Sequence, residues 1–184
     1  MKIKWKTLSS EYLFQSRTFK MRVDKCELPD GRVMPKYYVM EFTDWVHVVA
    51  LTQNMELVLV DQYRHAKQER YLELPGGNLE PNESLVDSAK RELLEETGYS
   101  AGNIKEVGEH YPNPALQSNA VRVFLATDCK KVAEQDLDPF EDLTVTLMPY
   151  GEALKKLDKG GFKHSLMNSS LLIAKQFVSY EKEA

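Results

Sequence analysis

The sequence predicts an α+β domain with a mixed β-sheet and an antiparallel β extension at its N-terminus. Strand-like segments fill most of the chain before a Pro-Gly-Gly loop, one amphipathic helix follows, and further strands precede two closing helices. Because strands and helices do not alternate strictly, we expect a mixed sheet rather than a purely parallel one. A chain of 184 residues is long enough to bury the core of one such domain.

The N-terminal extension is predicted to span residues 1–44, and the main domain residues 45–184. Within the extension, Lys20–Glu27 and Val33–Phe42 flank a Pro-Asp-Gly turn, which predicts a β-hairpin. The main domain begins with apolar runs that are typical of buried strands. These predicted strands are Trp45–Leu51, Glu56–Asp61 and Tyr71–Leu74.

The helix after the Pro-Gly-Gly loop is predicted to run from about Glu83 to Thr97. Asn82 suits the N-cap, and Gly98 suits the position just past the C-terminus. The glycines of the preceding loop allow its backbone to approach a ligand closely. The apolar stripe that would face the core consists of Leu85, Val86, Ala89, Leu93 and Leu94.

The chain beyond the helix is predicted to alternate less regularly between strands and helices. Three further segments have strand patterns, and two have helical patterns that end the chain. The strands are Ile104–Tyr111, Val121–Cys129 and Leu143–Met148, and the helices are Tyr150–Asp158 and Ser165–Tyr180.

Composition excludes several classes of function. The formal net charge of −4 and the pI of about 5.7 give no basic field for nucleic acid, so no nucleic-acid partner is expected. No apolar run reaches membrane-spanning length and the N-terminus lacks the apolar core of a secretory signal, so no membrane partner is expected. The two cysteines have no metal or redox spacing, which favours a cytoplasmic location.

An acidic cluster near the end of the helix indicates a bound cation. Glu92, Glu95 and Glu96 lie three and four positions apart, a spacing at which like charges destabilise a helix by about 0.2–0.5 kcal/mol per pair. Acids near a helix C-terminus also oppose the macrodipole. Oxygen donors suit Mg²⁺ or Mn²⁺. The alternative is a solvated face whose glutamates pair with Lys90 and Arg91.

The segment from Gly77 to Tyr99, GNLEPNESLVDSAKRELLEETGY, resembles the Nudix box. The fixed glycine, glutamate and arginine positions of that motif are all present, and only Tyr99 departs, since an aliphatic residue is usual there. From about residue 45 onward the chain resembles the Nudix α/β/α sandwich. The matching positions are Gly77, Glu83, Arg91, Glu92, Leu93, Glu95, Glu96 and Gly98.

This resemblance implies an enzyme that uses a divalent metal ion, Mg²⁺ or alternatively Mn²⁺, to hydrolyse nucleoside diphosphate derivatives. It implies that Glu92 and Glu96 bind the ion directly, with Glu95 close by and the carbonyl of Gly76 completing the set. Arg91 would then orient or neutralise these carboxylates. Family members of this type often carry a further acid on a late loop.

The matching late loop here is Asp136–Asp142. Within it we favour Glu141 as the base that activates water, or as an additional metal ligand. The alternative for each of these acids is an exposed, solvated loop.

Segments outside the box resemble the ADP-ribose and nucleoside diphosphate sugar pyrophosphatases. Pro114 lies fifteen residues beyond Tyr99, as in the ADP-ribose group, but Ala115–Ala120 replaces the Gly and downstream Glu that often follow. ADP-ribose and GDP-mannose therefore both remain open as substrates. The rival predictions are a hydrolase of nucleoside triphosphates, dinucleoside polyphosphates or RNA caps, and a non-catalytic nucleotide-sugar sensor. The resembling segments are VDQYR at 60–64, ELPGG at 73–77 and YPNP at 111–114.

The same resemblance, together with residue chemistry, nominates substrate contacts. Arg64 and Arg70 are candidates to bind phosphate, since a guanidinium group can donate two parallel hydrogen bonds; the alternative for Arg64 is a structural ion pair. Tyr38 and Trp45 are candidates for stacking on the base, with core packing as the alternative, and Pro114 is a further candidate contact. By resemblance, residues 1–44 are predicted to cross to a second subunit and form a homodimer. The four histidines have no metal spacing, and we expect His47, in an apolar strand, to be a core residue.

Overall fold

The computed structural model describes residues 4–179, which form two compact units. The first unit contains the chain through Asp44 together with Tyr111–Ala120, and the second contains Trp45–His110 and the chain from Val121 onward. The sequence assigned Tyr111–Ala120 to the main domain. The predicted start of the extension at residue 1 and the predicted end of the last helix at Tyr180 lie outside the described residues.

The first unit is a three-stranded antiparallel sheet in the order β1-β2-β3. Its strands are β1 (Lys6–Gln15), β2 (Lys20–Glu27) and β3 (Val33–Glu41), so the predicted hairpin is confirmed. The sequence analysis missed β1, because all ten of its residues are exposed and no buried face marks them as a strand. Within this unit the Met40 amide donates to the Leu116 carbonyl, 2.7 Å away, and Tyr37 Oη donates to the Ala115 carbonyl, 2.8 Å away.

The second unit is built on a mixed seven-stranded sheet with the order β10-β5-β4-β9-β7, in which β6 pairs with β5 and β8 with β9. The pairing of β4 with β9 is parallel and the other pairings are antiparallel, as the predicted mixed sheet requires. The strands are β4 (Trp45–Thr52), β5 (Glu56–Arg64), β6 (Glu69–Glu73), β7 (Tyr99–Ser100), β8 (Asn103–His110), β9 (Val121–Lys131) and β10 (Leu143–Pro149).

Helices cover both faces of this sheet. They are α1 (Leu85–Thr97), α2 (Tyr150–Asp158) and α3 (Ser165–Ala174), followed by a short 3₁₀ turn over Lys175–Phe177. Alternate side chains of β4 point to opposite faces. Val46, Val48 and Ala50 pack with Ala89 and Leu93 of α1, and the residues between them face α2 and α3. The predicted α/β/α sandwich is confirmed.

The predicted start of α1 is wrong by two residues. Ser84, not Asn82, is the N-cap: its Oγ accepts from the Asp87 amide and donates to the Asp87 carboxylate. Glu83 stays outside the helix because its carboxylate binds Arg91 and the Glu80 amide. The C-terminal prediction is confirmed, since Gly98 adopts a left-handed φ of 72° and donates to the Leu94 carbonyl.

His47 lies on the face of β4 that α3 covers. Its Nδ1 is 2.9 Å from Ser170 Oγ, and Nε2 of His110 is also 2.9 Å from that oxygen. One hydroxyl donates only one hydrogen, so one of the two rings must donate to it. Burial, followed by the charges that His164, His110 and Arg64 would add, lowers the pKa of His47 from 6.5 to about 3. His47 is a neutral core residue, as expected.

A variant that cannot titrate tests this assignment. The unfolded chain binds the His47 proton near pH 6.5 and the folded chain only near pH 3, so stability is lost as the pH falls through that interval. Relative to His47→Gln, the free energy of unfolding of the wild type should fall by about 1.4 kcal/mol per pH unit below pH 6.5. Urea unfolding between pH 4.5 and 7.5 measures this difference. A difference that does not vary with pH would contradict the assignment.

Candidate active site

The acidic face of α1 meets the Pro-Gly-Gly loop at the C-terminal end of the helix. Ala89 and Leu93 fix one side of α1 against the sheet, which leaves Glu92 and Glu96, one turn apart, on the side that faces the loop. Glu96 accepts a hydrogen bond of 2.9 Å from the Gly76 amide. The helix and the loop are therefore joined through a carboxylate.

The loop passes too close to its neighbours to carry side chains. The Val48 amide donates to the Pro75 carbonyl and the Val46 amide to the Gly77 carbonyl, both at 2.9 Å. A Cβ added to Gly76 would collide with the Val46 carbonyl, and one added to Gly77 would lie 2.6 Å from Cδ of Glu92. Close approach to backbone requires glycine at position 76, whereas a side chain at position 77 would displace the Glu92 carboxylate.

The two glutamates are removed from water. Glu92 is 9% exposed and Glu96 is 3% exposed. Burial raises the pKa of Glu92 to about 7, against the opposing effect of Arg91, and raises the pKa of Glu96 to about 8, against the opposing hydrogen bond from Gly76. In both cases the neighbouring carboxylates raise the pKa further. Without an added cation, the site holds these acids partly or mostly protonated at neutral pH.

Arg91 is enclosed by acidic side chains. Its Nε and Nη2 donate to Glu83, and its Nη1 donates to both Glu92 at 3.0 Å and Glu95 at 2.9 Å. These partners raise its pKa above the ordinary arginine value. Glu95 is the more exposed acid, with 40% of its side chain in contact with solvent. Arg91 thus compensates part of the acidic cluster, but Glu96 forms no ion pair among residues 4–179.

Hydrogen bonds attach the start of the late acidic loop to the C-terminal end of α1. The Gln135 side-chain amide donates to the Glu96 carbonyl at 2.6 Å, and the Asp136 backbone amide donates to the Glu95 carbonyl at 2.9 Å. Further along, the Glu141 carboxylate accepts from the Asp138 amide at 3.0 Å. Its charge contributes to raising the pKa values of both Glu92 and Glu96, so the loop carries Glu141 near the buried pair.

The two arginines nominated for substrate bind acids on the sheet. Arg64 donates from Nε and Nη2 to the two oxygens of Glu73, which is 3% exposed. Arg70 donates to Asp61 and to Asp142. The sequence analysis gave a structural ion pair as the alternative for Arg64, and this pair is present, but it named neither Glu73 as its partner nor the partners of Arg70. The available signal for the first was Glu73 itself, the single charged residue between Tyr71 and Gly77.

The remaining nominated residues belong to different units. Trp45 opens β4 in the second unit, where it forms an isolated bridge with Asn78 of the loop. Tyr38, on β3, is 45% exposed, and it belongs with Pro114 to the first unit. The second unit therefore contains the predicted metal-binding residues together with Arg64, Arg70 and Trp45, and the first unit contains Tyr38 and Pro114.

The donor set fits a hard divalent cation. Its candidate ligands are oxygens: the two buried carboxylates, the neighbouring glutamates and the loop carbonyls. Among residues 4–179, no three His, Cys, Asp or Glu side chains converge closely enough to hold an ion by themselves. Mg²⁺ does not require such a cage, because one or two carboxylates with water and substrate phosphate usually suffice.

Comparison with known proteins decides the family. The family model of the NUDIX domain matches residues 42–167. This chain belongs to the Nudix family. A second model, the nucleoside diphosphate sugar hydrolase N-terminal domain, matches residues 5–40 of this Nudix hydrolase.

Relatives and a solved structure agree with this assignment. The Nudix hydrolase is 31% identical over 154 residues to an ADP-ribose pyrophosphatase of Bacillus subtilis, covering 83% of each chain. It is also 29% identical to a methanol dehydrogenase activator of Bacillus methanolicus, covering 96% of this chain and 94% of that one. A crystal structure of an ADP compounds hydrolase superposes with a TM-score of 0.81 at 23% identity, covering 95% and 94% of the two chains, and supports the fold. No helix within residues 4–179 has the length and hydrophobicity to span a membrane.

The buried acid Glu96 gives a stability test of the site. Its folded pKa of about 8 lies above the ordinary 4.5, so the unfolded chain releases the proton first and the metal-free protein loses stability as the pH rises between these values. In EDTA, the free energy of unfolding of Glu96→Gln should be higher than that of the wild type. This difference should grow by up to about 1.4 kcal/mol for each unit by which the pH rises. Thermal unfolding at pH 5 and pH 8 measures this.

The matched control is Glu134→Gln, which neutralises an acid that is 90% exposed. Adding Mg²⁺ should raise the melting temperature of the wild type and of this control, but not that of Glu96→Gln. A Glu96→Gln variant that is less stable than the wild type at pH 8 in EDTA would contradict the assignment.

Proposed function

We propose that this Nudix hydrolase cleaves the diphosphate of nucleoside diphosphate sugars, with ADP-ribose and GDP-mannose as the leading candidates. Water attacks one phosphorus, the bond to the bridging oxygen breaks, and a nucleoside monophosphate and a sugar phosphate leave. The observation that carries this proposal is the buried pair Glu92 and Glu96, of which Glu96 accepts a hydrogen bond from Gly76 of the Pro-Gly-Gly loop.

Two comparisons support this substrate class. The N-terminal region matches a model that is named for nucleoside diphosphate sugar hydrolases. Besides the Bacillus subtilis relative, a protein of Mycobacterium tuberculosis that is 31% identical over 170 residues bears the name ADP-ribose pyrophosphatase. These names, together with the sequence segments around Arg64 and Pro114, favour sugar conjugates over nucleoside triphosphates, dinucleoside polyphosphates or RNA caps.

Glu92, Glu96 and the Gly76 carbonyl would hold Mg²⁺, with Mn²⁺ as the alternative. Carbonyls of successive residues in an extended segment point in opposite directions. Since the Pro75 and Gly77 carbonyls accept from β4, the Gly76 carbonyl should point away from the sheet. A divalent ion at this site would supply positive charge for the phosphoryl oxygens as negative charge develops on them.

The remaining residues of the box arrange these carboxylates. Arg91 holds Glu92 and Glu95 by hydrogen bonds and so fixes their orientation. Glu95, half exposed, is available as a further metal ligand or as a water-mediated contact. We assign Glu141 as the general base, which accepts a proton from the attacking water, or as an additional metal ligand.

Arg64 is proposed to bind substrate phosphate. Its Nε and one Nη2 hydrogen are occupied by Glu73, and 47% of its side chain is exposed, which leaves donors for an anion. The structural ion pair and the phosphate contact are therefore compatible, because the pair fixes the planar fork. Tyr38, Trp45 and Pro114 stay predicted substrate contacts, and the cytoplasmic location stays a prediction.

Product analysis tests the reaction. Wild type, Glu141→Gln and Glu134→Gln are incubated with Mg²⁺ and separately with ADP-ribose, GDP-mannose, a diadenosine polyphosphate and a nucleoside triphosphate. We expect monophosphate from a sugar conjugate, with kcat lowered about 10²–10⁴-fold in Glu141→Gln and unchanged in Glu134→Gln, an exposed acid two residues before the loop.

Each alternative result has a definite meaning. Turnover of only triphosphates or dinucleotides would move the chain to the rival group of Nudix hydrolases. No turnover by a folded, metal-loaded protein would favour the sensor. Undiminished turnover by Glu141→Gln would remove that residue from the mechanism.

We further propose that the N-terminal sheet forms a homodimer. All ten residues of β1 are exposed, including Tyr12, Leu13 and Phe14, and one edge of this strand is unpaired in the sheet. An edge strand with exposed apolar side chains is suited to pairing with another chain. Light scattering at micromolar concentration should give the mass of a dimer. For Leu13→Lys, the measured mass should fall towards that of a monomer. A strict monomer in the wild type would contradict the proposal.

A further inference from the structure

Arg70 occupies a special position on the sheet of the second unit. It lies on β6 opposite Tyr63 of β5, and β10 lies on the other side of β5. Its guanidinium crosses β5: Nε donates to the Asp61 carboxylate at 2.9 Å, Nη2 to the Asp61 carbonyl at 2.6 Å, and Nη1 to the Asp142 carboxylate at 3.0 Å. One side chain thus joins β6, β5 and the residue that precedes β10.

Asp142 is fixed a second time through its backbone. Its carbonyl accepts from the Tyr63 amide at 3.2 Å, which extends the pairing of β5 with β10 by one residue. Asp142 is the last residue of the late acidic loop, and the next residue back is Glu141. The side chain of Asp142 is 70% exposed, so its pairing with Arg70 does not result from burial.

The other end of the loop is fixed on α1. Gln135 and Asp136 bind the last carbonyls of the helix, as described above. Between the two attachments the chain makes a turn in which the Glu141 amide donates to the Asp138 carbonyl at 3.0 Å. Phe140, at the tip of this turn, is fully exposed. Phe140 therefore does not hold the turn against the core, whereas hydrogen bonds attach the loop at both of its ends.

We propose that Arg70 is a positioning residue that acts through Asp142 to place Glu141 over the buried glutamates, rather than a residue that binds substrate. This inference rests on the proposed function, because it takes Glu141 as a catalytic group. A lysine at position 70 has one compact ammonium group and does not reproduce three donors in a planar fork. The exchange Arg70→Lys therefore keeps the charge and removes the geometry.

The kinetic test measures kcat and KM for ADP-ribose with Mg²⁺ in Arg70→Lys and Asp142→Asn, each in the wild-type and Glu141→Gln backgrounds. We expect kcat to fall about 10- to 100-fold in both single variants with KM nearly unchanged, since misplacement of a catalytic group by about 1 Å has effects of this size. In the Glu141→Gln background the same exchanges should lower kcat no further.

Arg122→Lys is the matched control. Arg122, on β9, also bridges two acids, Glu106 and Glu109 of the neighbouring strand β8, and within residues 4–179 its ion pairs do not involve the loop. Its exchange for lysine should leave both kcat and KM at wild-type values.

Limited proteolysis measures the attachment of the loop independently of catalysis. Chymotrypsin cleavage after Phe140, followed by mass spectrometry of the fragments, should be several-fold faster in Arg70→Lys than in the wild type or in Arg122→Lys, because the loop loses one attachment. This measurement does not depend on activity.

Two results would overturn the inference alone. The first is a raised KM with unchanged kcat in Arg70→Lys, which would place Arg70 on the substrate. The second is a further fall in kcat, of the same factor as in the wild type, when Arg70→Lys is added to Glu141→Gln. Wild-type turnover by Glu141→Gln would instead overturn the proposed role of Glu141, and the inference with it.

Discussion

Removal of the Glu92 and Glu96 carboxylates from water is the constraint on which the rest of this site depends. Two acids one helical turn apart, both more than nine-tenths buried, are unfavourable as a pair of anions. The chain compensates only in part, through Arg91 on Glu92 and the Gly76 amide on Glu96. The raised pKa values show that ionising the two carboxylates remains unfavourable. A bound divalent cation would stabilise their ionised forms.

The surrounding fold serves the same arrangement. The apolar side of α1 lies on β4, and β4 also donates to the carbonyls of the Pro-Gly-Gly loop, so one strand positions both halves of the acidic centre. The opposite face of β4 carries His47, which is kept neutral beside Ser170. The α3 side of the sheet also carries charge, since Glu73, paired with Arg64, lies 3.4 Å from Nδ1 of His164 at the start of α3.

The sequence predicted the parts of the site that depend on local spacing. Glu92 and Glu96 at i and i+4, the Pro-Gly-Gly loop and the glycine at the end of α1 follow from helix geometry and glycine chemistry, and all are found. The N-cap was misplaced at Asn82, because Asn and Ser are nearly equivalent caps in isolation. The pairing of Ser84 with Asp87 decides between them.

Features that depend on strand register or on long-range contacts were not predictable in the same way. Arg64 and Arg70 were predicted as substrate contacts, but their partners in the fold, Glu73 for Arg64 and Asp142 for Arg70, follow only from the pairing of β5 with β6 and β10. Strand β1 has no buried face to reveal it. Two of the four histidines, His47 and His110, meet at one serine hydroxyl although they are distant in sequence.

The most direct test of the central claim is calorimetric titration of the metal-free protein with Mg²⁺ at pH 7, in buffers of different ionisation enthalpy. Since the pKa values of Glu92 and Glu96 are about 7 and about 8 without a cation, binding should release about one proton or slightly more. Glu96→Gln should release less than the wild type. Tight binding without proton release would contradict the account, because it would mean that the carboxylates are already ionised.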